Sequence, residues 1–158
     1  MKTTGKSDLP LAPRTAARLA AVQALYQMDL AQTDLNDLIA EFETIRFGAK
    51  ADDPDFKDAD RDLFADIVRG VVRRQREIDP FVDQHLADGW RLTRIDSILR
   101  AILRAGVFEL LERTDVPVRV VITEYVNAAH AFLGTDEPKV VNGVLDKLAR
   151  RLRPAEFT

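Results

Sequence analysis

The chain has 158 residues, 46% of them hydrophobic, with seven glycines and seven prolines, enough for one buried core and too few for two large domains. It contains no cysteine, which excludes disulfides, thiolate nucleophiles and zinc–thiolate sites together and fits a reducing cytoplasm. The net charge is only −3, the start "MKTTGKSDLPLAP" lacks an apolar run of signal-peptide length, and nowhere do 18 apolar residues follow one another, so neither membrane spanning nor signal-directed export is expected.

Residues 1–12 read as a flexible basic leader and residues 13–154 as a single helical domain. In the opening helix Leu19, Val22, Tyr26 and Leu30 recur at spacings of three and four, the mark of one buried stripe. Thr33 or Asp34 suits the cap of a second helix carrying Leu35, Leu38, Ile39, Phe42 and Ile45 and ending near Gly48. The polar segment "AKADDPDFKDAD" is a loop whose last aspartates suit the positive start of the next helix. That helix is expected from about Asp60 to Arg76, with a shorter one after Pro80 broken by "DGW". Residues 94–112 are apolar almost all round, which predicts a central, much-buried element. The β-branched run "VPVRVVITEYV" also fits a strand. Pro117 at a first turn and Val121, Tyr125, Ala128, Ala129 and Phe132 at helical spacing favour a helix over 117–132. The last helix runs from near Pro138 to about Leu152, where Pro154 ends it. The pattern predicts a compact all-α bundle of six or seven helices.

Tests for chemistry return little. His85 and His130 form no metal-ligand pair, and no phosphate loop or nucleophile elbow is present. Asp58, Asp60 and Asp62 occupy positions 1, 3 and 5 of a calcium loop, but Leu63 stands where glycine is needed and Arg69 where the bidentate acid belongs. These carboxylates read as helix-start charges. Nothing selects a catalytic pair among 26 acidic residues, and no residue pattern calls for a metal or a cofactor.

Charge is unevenly spread. Residues 1–20 carry Lys2, Lys6, Arg14 and Arg18 against Asp8 alone, residues 34–66 hold eleven acids against four bases, and residues 139–153 hold five bases against Asp146. Basic ends around an acidic middle point to a polyanion contact if the fold joins the termini; solvated helix faces are the alternative. Arg14 and Arg18 lie in the first turns of a helix, whose positive end disfavours cations by up to about 1 kcal/mol. Projecting about 40° apart, they read as one exposed ledge beside the buried stripe, where an external phosphate reverses the sign of that cost.

The segment "RTAARLAAVQALYQMDL", with Arg14, Arg18, Ala21, Gln23, Leu25 and Tyr26, resembles the opening helix of the NusB family of transcription antitermination factors. The resemblance continues through "AILRAGVFELLERTDVPVRVVITEYVNAAHAF" and ends in "KVVNGVLDKLAR", close to that family's FVNGVLDK motif. Only the acidic residues 48–60 have no distinctive counterpart. The resemblance implies two small three-helix subdomains, no catalysis, pairing with NusE, a small-subunit ribosomal protein, and binding of boxA RNA in nascent transcripts, notably ribosomal RNA. The pair then acts within an RNA polymerase antitermination complex, and a homodimer competing with NusE is a further expectation.

By the same resemblance, Arg14 and Arg18 inherit an RNA contact, as do Asp136 and Lys139 just before the closing motif. The family's consecutive arginines are interrupted here by Thr15, Ala16 and Ala17, which raises the importance of NusE and of Lys2 and Lys6. Val140 replaces the usual Phe, removing a base-stacking ring there. Asn142 and Gly143 read as allowing close helix packing, and Tyr26 as packing with a hydroxyl at the rim facing NusE. Two alternatives stand beside this reading. One is an RNA-recognition domain of the kind fused to RNA methyltransferases, which needs a downstream methyl-donor-binding domain, whereas the sequence ends at Thr158. The other is a protein-only scaffold.

Overall fold

The computed structural model describes residues 11–48 and 54–157, and among these there are six α-helices and no strand. Helix α1 (Pro13–Ala31) begins with proline at its first position and ends where Gln32 takes a left-handed conformation, φ 53°, returning its N–H to the Met28 carbonyl. Its inner face is built of Ala16, Ala17, Ala20, Ala21 and Ala24, all buried, so neighbouring helices approach its backbone closely.

Asp34 caps α2 (Leu35–Glu41) by accepting from the N–H groups of Asn36 and Asp37. The helical run continues without a break to Arg46, close to the expected end near Gly48, but its last turn is wider. This turn over Phe42–Arg46 inserts Phe42 and Phe47 against Phe64 with ring centroids 5.2 and 4.9 Å apart.

Asp60 caps α3 (Arg61–His85) through the Leu63 N–H, the helix-start role expected for that aspartate run. The two helices expected here are present as two limbs of one element, but they meet at a kink at Arg74 (φ −109°, ψ 15°) and not at Pro80, which lies inside the second limb. Proline removes an N–H donor and crowds the carbonyl four residues earlier. The carbonyl so affected is that of Arg76, yet the non-helical residue is Arg74, two positions earlier, and the helix resumes beyond it. Arg74 is held there by Glu77 at 2.8 Å and Glu112 at 3.3 Å.

Helix α4 (Ser97–Glu112), capped by Asp96, is the central element: it packs against α1, α3, α5 and α6. Paired arginines staple it to its neighbours, Arg100 to Asp29 of α1 and Arg104 to Asp79 of α3. Helices α5 (Val118–Phe132) and α6 (Glu137–Leu152) complete the second half. All six helices share one continuous buried cluster, with α4 as the element common to both halves of the chain. No described helix is long and apolar enough to cross a membrane.

Close helix approach occurs at glycines other than the expected one. A Cβ on Gly143 would meet nothing within 4 Å, whereas one on Gly70 of α3 would fall 2.0 Å from the Phe108 ring of α4 and one on Gly106 would fall 2.9 Å from Leu145.

Candidate nucleic-acid interface

The two arginines of α1 part company. Arg14 is half exposed, its nearest carboxylate the Asp115 side chain 4.0 Å away across the surface, a pair worth little in water. No acid stands in the first turn, and Ala12 offers no side-chain cap, so neither a first-turn acid nor a cap side chain neutralises the positive helix end beside Arg14.

Arg18 is 3% exposed, which corrects the expected shared ledge. It precedes Val22 by one turn and Leu25 by two, inside the buried stripe itself, and the small alanines around it let α4 and α5 close over it. Its Nε and Nη2 donate to the two oxygens of Glu109 at 2.8 and 3.0 Å, and Nη1 donates to Glu124 at 2.7 Å. The Thr15 hydroxyl also donates to Glu124, at 2.7 Å, and the Tyr125 hydroxyl donates to Glu109. Burial works against the Arg18 charge, but the hydrogen bond and charge of Glu109 outweigh it and raise the pKa of the guanidinium. Burial, and then the Glu109 charge, push the Tyr125 phenol well above its ordinary value. This network binds α1 to α4 and α5 and turns three of the five guanidinium N–H groups of Arg18 onto internal carboxylates.

The second pair of expected contacts opens α6. Asp136, at the N-cap position, and Lys139, in the first turn, are both exposed. Arg14 lies beside Asp115 before α5, while Asp136 follows the turn after it. The 15 residues of α5 span about 22 Å at 1.5 Å per residue, so Arg14 and Lys139 are two stations and not one patch. Lys2 and Lys6 lie outside the described residues. Tyr26 is half-buried on the rim of a groove with Gln23, Leu30, Ile98 and Phe132, and Leu30 there is 60% exposed.

Several terminal bases turn out to serve the fold. Arg153 is buried and donates to the carbonyls of Glu109, Leu110, Arg113 and Val116 at 2.6–2.9 Å, satisfying the open end of α4. Glu156 beside it accepts from the Val118 N–H and from Arg153, and that backbone hydrogen bond holds its carboxyl below the usual range. Arg150 pairs with Asp146 and lies over Phe157, and Arg151 lies over Phe81. Glu109, Glu124 and Arg153 escaped the sequence reading. The signal for Glu109 was its place in "VFELL", an acid in a helix apolar almost all round, which demands a buried cation. The histidines take the plain reading: the Nδ1–H of His85 donates to the Phe81 carbonyl, and His130 is exposed. Among the described residues no cluster fit for a metal ion occurs.

The NusB family model matches residues 15–150. The transcription antitermination protein NusB of Rhodopseudomonas palustris (strain ATCC BAA-98 / CGA009) is 52% identical over 157 residues, covering 99% of this chain and 90% of that protein. A solved structure of NusB from T. maritima superposes with a TM-score of 0.76 at 27% identity, over 92% of this chain and 97% of that one. One of antitermination factors NusB and NusE in complex with dsRNA superposes with a TM-score of 0.68 at 25% identity, over 87% and 96%. The chain belongs to the NusB family of transcription antitermination proteins.

Proposed function

We propose that this protein works by binding, without catalysis: it pairs with NusE in the cytoplasm, and the pair binds boxA RNA in nascent transcripts, notably ribosomal RNA, within an RNA polymerase antitermination complex. The observation that carries the reading is the likeness, over 87% of this chain, to a NusB solved with NusE and dsRNA. Arg14 at the positive start of α1 takes a phosphate, Lys139 a second one at the other end of α5, about 22 Å along that helix, and Lys2 and Lys6 extend the basic edge from the leader. Asp136 accepts from base amino groups, which lets a carboxylate stand on an RNA surface. Arg18 is a positioning residue, fixing α1 so that Arg14 is presented. The Tyr26 groove, with Leu30 exposed in it, receives NusE, and a second copy of the chain competes for the same apolar face.

A gel shift with boxA RNA tests the reading. The protein with NusE retards the RNA more strongly than NusE alone. If NusE binds the protein with no gain in RNA affinity, the protein is a scaffold and the proposal is wrong.

A further inference from the structure

The turn between α3 and α4 carries the single tryptophan of the chain, and Trp90 is 41% exposed. The turn is well fixed: the Trp90 N–H reaches the Ala87 carbonyl at 3.0 Å, Gly89 takes φ +86°, and Asp83 accepts from the Leu92 N–H at 2.8 Å. An indole held in water leaves burial energy unused and offers a large, rigid π-face to an incoming group.

Two hollows adjoin this ring. One, of about 240 Å³, is shared with His85, Lys139, Val140, Gly143 and Lys147, and the space above Gly143 stays open. The other, of about 360 Å³, carries Arg91 and Arg94 with the acids Asp96 and Glu137. Four permanent cations thus face two carboxylates around one aromatic plane. Protein-docking faces are depleted in lysine, whereas an aromatic plane between cations is how proteins hold unpaired nucleotides, one base stacked and the flanking phosphates neutralised.

We propose that Trp90 is a stacking platform for one base of single-stranded RNA, with Lys139 and Lys147 taking the phosphate on one side and Arg91 and Arg94 the phosphate on the other. The inference rests on the boxA reading and extends it, because the first hollow contains Lys139. It moves the RNA path beyond the start of α6 onto the turn between α3 and α4.

The full chain with NusE and a boxA RNA provides the test, through Trp90 emission and through affinities of Trp90→Leu and Trp90→Phe. Leucine keeps the hollow covered and removes the π-face; phenylalanine keeps both. RNA quenches the emission of the wild-type pair by an amount missing in Trp90→Phe, whose tryptophan signal comes from NusE alone. Affinity falls on the order of 10-fold in Trp90→Leu and stays within about twofold in Trp90→Phe. Unchanged emission together with unchanged affinity of Trp90→Leu, in a wild-type pair that does bind boxA, overturns the platform and leaves the boxA reading intact. A wild-type pair that binds boxA no better than NusE alone overturns both. Quenching by NusE before any RNA is added assigns Trp90 to the protein partner and also overturns the platform.

Discussion

The Arg18 guanidinium lies in a two-pronged pair with the Glu109 carboxylate, 2.8 and 3.0 Å between donors and acceptors, and both side chains are almost sealed from water. Two buried charges at such distances are tolerable only together. Removing one leaves the other desolvated and unpaired, at a cost of about 3–5 kcal/mol. Arg18→Met is therefore expected to lower the free energy of unfolding by about that amount, read from the denaturant midpoint at unchanged slope. The double variant Arg18→Met with Glu109→Leu recovers part of the loss, because neither member of that pair is stranded, although Glu124 loses its cation and the buried Tyr125 hydroxyl its acceptor. A double variant as unstable as the sum of the singles would contradict this account.

Tyr125 completes the same network and makes the fold sensitive to alkali. Its phenol is fully buried beside Glu109, and burial first, then that charge, raise its pKa in the folded state. In the unfolded chain it titrates near 10. A group whose folded pKa is raised contributes stability that is complete below the unfolded value and is lost as pH climbs from there through the folded value. Stability should fall above a pH of about 10, and the fall should be shallower in Tyr125→Phe. Paired urea titrations of the two proteins across that range measure the difference, and parallel curves would sink the linkage.

How far the sequence revealed this arrangement depends on the range of the interaction. Helical periodicity exposed α1, the central α4 and, with Pro117, the helical state of residues 118–132, because those signals are local. The kink at Arg74 was invisible, since Pro80 announces a break without saying which preceding turn yields. Arg18 was misjudged for a related reason: periodicity assigns arginine to the surface by type, and its partner lies 91 residues away. Asp136 and Lys139 were legible as exposed charges at a helix start. That they stand at the other end of α5 from Arg14, about 22 Å along a 15-residue helix, required the packing order of α1, α5 and α6. Gly143 carried the appearance of a packing glycine within a recognisable motif, yet the contact that needs glycine is Gly70 under Phe108.

That contact gives a prediction independent of charge. A Cβ at Gly70 would lie 2.0 Å from Phe108 Cε1, and Phe108 is fully buried in α4 with no room to retreat. Alanine normally favours a helix over glycine by about 1 kcal/mol. Here overpacking should reverse the sign and destabilise by roughly 1–3 kcal/mol. Gly143→Ala, with open space around the new methyl, should instead be neutral or stabilising. Thermal melts of the two variants side by side decide the point, and a Gly70→Ala protein melting at or above the wild type would refute it.

Separating Arg14 from Arg18 also changes what RNA titrations should show. If both guanidinium groups met phosphate, replacing them would remove two contacts from the salt dependence. Only Arg14 is exposed, and its Asp115 partner at 4.0 Å is too weak to hold it from a phosphate. Each phosphate contact contributes slightly less than one unit to the slope of log K against log salt. For the protein with NusE and boxA RNA, Arg14→Ala should weaken binding and flatten the slope by about one. Arg18→Gln, which removes the charge, should lose stability while leaving the slope of the folded protein unchanged. A slope that drops in Arg18→Gln and holds in Arg14→Ala would put the buried arginine on the RNA and this assignment in error.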